Sequence, residues 1–238
     1  MSVNTQSLDL ESGSSQYAGR ADTASLSITG DMTIEMWVKL ESAPALDSQM
    51  MLVSKWGTTS DLSYELQYQD SGGTKRFIFW NSSTGANSGS ATINNTLSLA
   101  TWTHIAMVYT AASGQIEIYI NGSSIGTATG TLLTSLFDNA NAFRIGAASP
   151  TASSYFDGLI DEVRMWDDVR TSGEISTNYK TESVENEANL QAHWKLNNVY
   201  TDETANANTL TASGSPVFST DVPFTGLVTD EIADYLTV

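Results

Sequence analysis

Hydrophobic and polar residues alternate with a period of two along much of the chain, in short runs broken by Gly, Ser, Asn and Asp. Successive side chains of a β-strand point to opposite faces, so this period marks strands with one buried side. In Thr33-Ile-Glu-Met-Trp-Val-Lys-Leu40, Ile34, Met36, Val38 and Leu40 share one face, while Thr33, Glu35, Trp37 and Lys39 share the other. Tyr64-Glu-Leu-Gln-Tyr68 and Arg76-Phe-Ile-Phe-Trp80 read as strands joined by a turn over Asp70-Ser-Gly-Gly73. Trp102-Thr-His-Ile-Ala-Met-Val-Tyr109 is apolar on both faces, as a central strand would be. Gln115-Ile-Glu-Ile-Tyr-Ile-Asn-Gly122 alternates strictly, and Asn121-Gly122 supplies the two positive-φ residues of a type I′ hairpin turn. Ile116, Ile118 and Ile120 are expected to face the core, with Glu117 and Tyr119 facing out. Phe143-Arg-Ile-Gly146 and Leu159-Ile-Asp-Glu-Val-Arg-Met-Trp166 add two more strands. Many short strands with turn signals between them indicate an all-β sandwich or barrel, here of about a dozen strands.

One segment departs from the pattern. Thr171-Ser-Gly-Glu-Ile-Ser-Thr-Asn-Tyr-Lys180 has capping hydroxyls, an early Glu, and Ile175 and Tyr179 four residues apart, which predicts a single short helix. Residues 182–189 are acidic and polar and read as a connector. Leu190-Gln-Ala-His-Trp-Lys-Leu196 resumes as a strand, and 201–215 reads as loop with one short β piece around Leu210. From Pro223 no periodicity is evident, which suggests a tail or linker.

Composition narrows the classes. The chain has 238 residues, 40% hydrophobic and only 16% charged, with 6 Trp, 9 Tyr and 7 Phe to build a core. Ten basic against 27 acidic residues leave a net charge of −17. Phosphate backbones and anionic membranes call for clustered Lys and Arg, and the chain has no basic run, so nucleic acid is not an expected partner. Cysteine is absent, which removes disulfides, thiolate catalysis and Cys-based zinc sites. No apolar stretch is long enough to span a bilayer, so membrane insertion is not expected. The first residues lack the basic and apolar regions of a signal peptide, so export would need a signal elsewhere.

Three segments resemble the laminin-G-like (LamG) jelly-roll domains of the concanavalin A-like lectin/glucanase superfamily. They are Ser7-Leu-Asp-Leu-Glu-Ser-Gly-Ser-Ser-Gln-Tyr17 with Asp31-Met-Thr-Ile-Glu-Met-Trp-Val-Lys39, then Trp102–Tyr109 with Ile118-Tyr-Ile-Asn-Gly122, and lastly Phe156-Asp-Gly-Leu-Ile-Asp-Glu-Val-Arg-Met-Trp166 with the helix after it. Their order and spacing match over roughly residues 7–180. The resemblance implies a two-sheet antiparallel β-sandwich, a concanavalin A-like jelly roll with one short helix, in an extracellular or cell-surface setting. Leu190–Leu196, running on to Leu210-Thr-Ala-Ser-Gly214, is similar to the stretch that usually precedes the first motif. It either opens a further repeat or docks back as a final strand. Docking is preferred, because an isolated strand carrying Trp194 and Leu196 leaves apolar surface wet. The expected organisation is therefore a domain over 1–218, with 190–218 docked, and a tail or linker over 219–238.

The residues offer little for catalysis. His104 and His193 each sit within an apolar strand, where a histidine is usually packed. No Ser lies in a nucleophile-elbow setting, a Gly-x-Ser-x-Gly followed by a helix. The glucanases of this fold carry a Glu-x-Asp-x-Glu run that is missing here, and Asp161 and Glu162, as strand neighbours, are expected to leave opposite faces. A hard-cation site is better supplied. The resemblance implies a structural calcium bound by Asp161 with Glu11 and Gly13 from the first strand region. Asp157, in the Phe-Asp-Gly turn, is a further ligand, since such turns also expose carbonyl oxygens. The alternative is an Asx-turn at Asp157 and an Asp161 paired with Arg164 or solvent. For ligand contact, alternation nominates Trp37, Tyr119 and Trp80, and the Lys55-Trp-Gly57 loop adds Trp56, the one most expected to be exposed. For Trp37 and Trp80 a core role is the stronger expectation. The sequons at Asn81, Asn94 and Asn121 are expected by chance in so Asn/Ser/Thr-rich a chain.

These readings point to a non-catalytic, calcium-stabilised binding or adhesion module of a larger secreted or surface protein. Its expected partner is a glycan or a cell-surface protein. The alternatives are a structural repeat or spacer, and a glucanase or polysaccharide lyase on the same fold.

Overall fold

The computed structural model describes residues 4–181 and 187–224. Within them lie sixteen strands and one α-helix. The first eight strands are β1 (Ser7–Leu10), β2 (Tyr17–Arg20), β3 (Met32–Leu40), β4 (Gln49–Lys55), β5 (Tyr64–Ser71), β6 (Thr74–Asn81), β7 (Gly89–Asn94) and β8 (Thr103–Thr110). There follow β9 (Gln115–Ile120), β10 (Ser123–Thr127), β11 (Thr129–Thr131), β12 (Phe143–Ile145) and β13 (Gly158–Trp166). After helix α1 (Ser172–Asn178) come β14 (Leu190–Trp194), β15 (Thr211–Ser213) and β16 (Val217–Ser219). The count exceeds a dozen because short strands such as β11 and β16, three residues each, carry no readable period of their own.

Two antiparallel eight-stranded sheets face each other. Sheet A runs β10-β9-β8-β3-β13-β1-β16, with β14 also paired to β13, and sheet B runs β11-β7-β6-β5-β4-β12-β2-β15. The expected inward residues Ile34, Met36, Val38 and Leu40 of β3 and Ile116 and Ile118 of β9 fill the core with Ile120 half-buried against it, and Tyr64, Leu66, Phe77 and Phe79 face them from sheet B. Trp194 of β14 is fully buried and stacks on Phe143 at 5.3 Å, its indole N–H donating to the Asn208 carbonyl. Both hairpin turns form where expected. Asn121 and Gly122 adopt φ of 51° and 76°, and Gly122 also packs so tightly that a Cβ would lie 2.8 Å from the Tyr179 ring.

The end of the chain completes both sheets. β15 pairs with β2 on sheet B, and β16 pairs with β1 on sheet A, Ser219 opposite Ser7. The tail expected from 219 starts later: Asp221 forms an ion pair with Lys39 and accepts from the Trp102 indole N–H at 2.7 Å, and Phe224 packs against Trp37. Residues 225–238 of that tail, and 182–186 of the acidic connector, lie outside the described residues.

β13 carries a bulge. Asp161 pairs with Trp37 but Arg164 pairs with Glu35, so three residues of β13 span two of β3. Glu162 holds the extra position at φ 49°. Here β13 also changes its second partner, from β1 at Ile160 to β14 at Val163. The bulge overturns the expectation that Asp161 and Glu162 leave opposite faces. Ile160, Val163 and Met165 fill the core, while the Glu162 carboxylate meets Arg164 and His193, both at 2.8 Å.

Candidate functional site

The two outer sheet faces have different fates. On sheet A, α1 closes the surface. Thr171 and Glu174 form a reciprocal capping box that starts the helix, and Ile175 then buries against Ala106, Val108 and Tyr119. Past the helix, Tyr179 stacks on Trp37 at 5.9 Å and accepts from its indole N–H at 2.9 Å. Trp37 and Tyr119 do point outward, but only 6% and 4% of their surface is exposed, leaving no face for a ligand. The nomination of these two as ligand contacts is thereby corrected.

Beneath the same cover lies a charged cluster. Glu35, His104, Glu162, Arg164 and His193 are all buried. Arg164 donates to Glu162 and to the carbonyls of Asn178 and Thr181, tying the segment after α1 to the sheet. Burial penalises both charged forms here. The hydrogen bond from His193 and the nearby Arg164 charge outweigh that penalty at Glu162 and hold its carboxyl below the usual range. At His193 burial dominates and lowers the imidazole. Both histidines are therefore packed structural residues.

Sheet B keeps an open outer face. Its central strand β5 turns Glu65, Gln67 and Gln69 outward, between the inward Tyr64, Leu66 and Tyr68. Cross-strand pairing sets Glu65 between Ser54 and Trp80, Gln67 between Met51 and Ile78, and Gln69 between Gln49 and Arg76. Trp56 stands just beyond the end of β4. Its position is fixed on both sides: the buried Lys55 ammonium is paired with Asp22 at 2.9 Å and bonded to Asn139, and a Cβ at Gly57 would lie 2.0 Å from the Asp61 carbonyl oxygen. Gln49, Trp56, Glu65, Gln67, Gln69, Trp80 and Ser88 line a groove of about 300 Å³. Trp56 and Trp80 are half-buried and offer ring surface to it.

Glu65 is the one carboxylate among these lining residues. Burial drives its carboxyl up to about 7, partly offset by hydrogen bonds from Gln67 at 2.5 Å and Ser54 at 3.4 Å. The sequence reading nominated Trp56 and Trp80 and missed Glu65, Gln67 and Gln69. The missed signal was the amide-rich outward register of Tyr64-Glu-Leu-Gln-Tyr-Gln69, since polar side chains that lose water in the middle of a sheet need a reason to be there.

The residues nominated for calcium separate. Asp161 is fully buried and its carboxylate accepts from Asn4 Nδ2 at 2.7 Å and from the Glu162 N–H at 3.0 Å. By register, Glu11 lies beside Asp157, four residues or about 13 Å further along β13. Asp157 is itself occupied, accepting from the Ser12 N–H at 3.0 Å and the Ser42 hydroxyl at 2.5 Å. Gly13 is exposed in the short turn after β1. Glu11 instead meets Asp9 and Glu41, their carboxylate oxygens all within 4.8 Å. Asp9 Oδ1 is buried without a hydrogen bond. Burial raises the carboxyls of Asp9 and Glu41, with repulsion from Asp157 added at Asp9 and from Asp9, Glu11 and Asp157 at Glu41. This all-oxygen set suits a hard cation, and Asp161 is not part of it.

Fold and site together define a jelly-roll sandwich with one covered and one open sheet face. The chain belongs to the concanavalin A-like lectin/glucanases superfamily, in its laminin-G-type family, which matches residues 12–176. No match is found among curated proteins. Among solved structures, a candidate carbohydrate-binding protein from Bacteroides ovatus superposes with a TM-score of 0.64 at 16% identity, over 92% of this chain and 60% of that one. A heptameric SAP-like pentraxin from Limulus polyphemus gives 0.57 at 13% identity, over 85% of this chain and 94% of that one. The CBM40 of Ruminococcus gnavus IT-sialidase, solved with α2,3-sialyllactose, gives 0.52 at 14% identity, over 68% and 91%. At these identities the likeness is one of fold. No helix among the described residues is long and apolar enough to cross a membrane.

Proposed function

We propose that this chain is a non-catalytic carbohydrate-binding module of a larger extracellular protein, its ligand seated in the sheet B groove. The observation that carries the reading is the pairing of two half-buried tryptophans with a file of polar side chains on an otherwise packed sheet. Indole faces cover the C–H surface of a sugar ring, and the Gln amides and Glu65 satisfy its hydroxyls. Hydrolysis needs two carboxylates about 5–9.5 Å apart, and the described lining offers one. The Glu35–Glu162 region of sheet A has two, but Arg164, the histidines and the segment after α1 enclose them. The superposed sugar-binding folds support the reading.

The test is a glycan array followed by titration calorimetry on the purified chain. A glycan ligand is expected, and Trp80→Ala should weaken it about tenfold or more, as truncation of a central aromatic anchor does. Its melting temperature should stay near that of the parent chain. Binding that survives both Trp80→Ala and Trp56→Ala would refute the groove as the site.

A structural calcium belongs to the same proposal, with Asp9, Glu11 and Glu41 as its carboxylate ligands. It would relieve their repulsion and tie β1 to the end of β3. At 100 times its dissociation constant the ion should add about 2.7 kcal/mol to stability. Thermal unfolding in millimolar Ca²⁺ against EGTA checks this, and Glu41→Gln should abolish the response. Without bound calcium the opposite follows: Glu41→Gln stabilises the chain in EGTA and Ca²⁺ alike.

A further inference from the structure

We propose that the groove selects neutral, extended oligosaccharides of at least two sugar residues laid along β5, and rejects sialylated, uronic and sulfated glycans. The proposal rests on the groove being the glycan site and concerns what chemistry that site accepts.

Charge comes first. None of the described residues lining the groove is a Lys, Arg or His, and the wall shared with Trp80 carries Glu65. A sugar carboxylate or sulfate bound there would give up water with no cation to replace it, beside a group that becomes an anion as pH rises. Arg144 lies opposite Ser54 with its guanidinium donating to the Ala148 and Pro150 carbonyls at 2.6 and 2.7 Å, and Arg76 is a cation at the rim. It sits opposite Gln69, whose side-chain oxygen takes its Nε and Nη2 at 3.0 and 2.8 Å. It is also four residues along the strands from the Glu65–Trp80 row, about 13 Å at the rise of a strand. Lys75, one residue before it, is paired with Asp70. The net charge of −17 adds a repulsive field for any polyanion.

Hydrogen-bonding capacity agrees. Gln49, Gln67 and Gln69 bring amides to the groove: Gln69 presents its N–H₂ while its oxygen is held by Arg76, and Gln67 presents its oxygen while its N–H₂ donates to Glu65, and sugar hydroxyls both donate and accept. Carboxylates and sulfates only accept, and would leave the amide oxygens and Glu65 facing further oxygens.

Length comes from register. Glu65, Gln67 and Gln69 occupy alternate positions of one strand, two steps of roughly 6.6 Å, so the polar file runs for about 13 Å. That exceeds a single pyranose ring. A lone sugar could cover one tryptophan and at most part of the file.

The experiment is calorimetric titration at pH 7.5 with two ladders of one to six residues. One is neutral (cello-, xylo-, manno- and galacto-oligosaccharides) and the other is oligogalacturonate, with lactose and α2,3-sialyllactose as a further pair. Affinity for the best neutral series is expected to rise at least tenfold from monosaccharide to trisaccharide. Its charged counterpart should bind at least tenfold more weakly, and Glu65→Gln should narrow that gap. Equal or tighter binding of oligogalacturonate or sialyllactose, abolished by Trp80→Ala, would overturn the selectivity while leaving the groove as the glycan site. A monosaccharide that binds as tightly as its trimer would overturn the extended-chain claim. If neutral binding is indifferent to Trp80→Ala and Trp56→Ala, or no glycan of either ladder binds, the groove reading falls and the selectivity with it.

Discussion

Glu65 loses nearly all its water when the chain folds, with 7% of its surface left exposed, and receives two neutral donors in exchange. Its carboxyl therefore rises from the ordinary 4.5 to about 7. Between those two values the folded state keeps a proton that the unfolded state has released. Folding then takes up a proton, so stability falls as pH climbs through the window and the full penalty is present above pH 7. At 1.36 kcal/mol per unit the penalty is at most about 3 kcal/mol. Glu65→Gln keeps the shape and removes the charge. Thermal unfolding should show the variant more stable than the parent at pH 8, and the two alike at pH 4. A difference independent of pH would contradict the raised carboxyl. The cost makes Glu65 a residue retained for something other than stability, which is what a ligand-facing acid would be.

At the level of elements, the β13 bulge and α1 decide what the two outer faces become. Arg164 is the link: it is buried, pairs with Glu162, and holds the carbonyls of Asn178 and Thr181. Arg164→Leu would leave the buried Glu162 carboxylate facing His193 without the guanidinium, and would free the segment that covers Trp37. A loss of about 3–5 kcal/mol is expected, as for other broken buried pairs, with the urea-unfolding midpoint as the measure. This is also where the sequence was least legible. Period-two alternation in β3 and β9 revealed the inward and outward residues, in β5 and β6 only the strands, and Asn121-Gly122 revealed its turn. Alternation cannot say which outer face a helix will cover, so Trp37 and Trp80 looked alike until Tyr179 was found on the first. It also fails at a bulge, where one added residue resets the facing of everything after it. Asp161 and Glu162 were misjudged for that reason. Asp9 shares the face of Glu11 two residues on, but Glu41 was missed because only the β1–β13 and β3–β13 registers together bring it to them.

For the molecule as a whole, the two sheets divide the labour. Sheet A is closed by α1, Phe224 and Asp221, while sheet B has the groove on β4, β5 and β6. The final strands serve both sheets as edges. The antiparallel β1–β16 pair places Ser7 against Ser219, and Asp221 just beyond it holds Ser7, Lys39 and Trp102. That arrangement sets how the domain would carry tension. A pull applied through both ends of the described chain reaches the ladder at its Ser7–Ser219 end, so its hydrogen bonds bear load one after another, as in a zipper, instead of sharing it in shear. The Phe224–Trp37 and Asn4–Asp161 contacts feel the force first, Asp221 next, and β16 is the first strand to peel. The groove strands are set apart from that break, since β2 and β12 stand between β15 and β4. A stretched module would lengthen at β16 while the strands of the groove stayed paired.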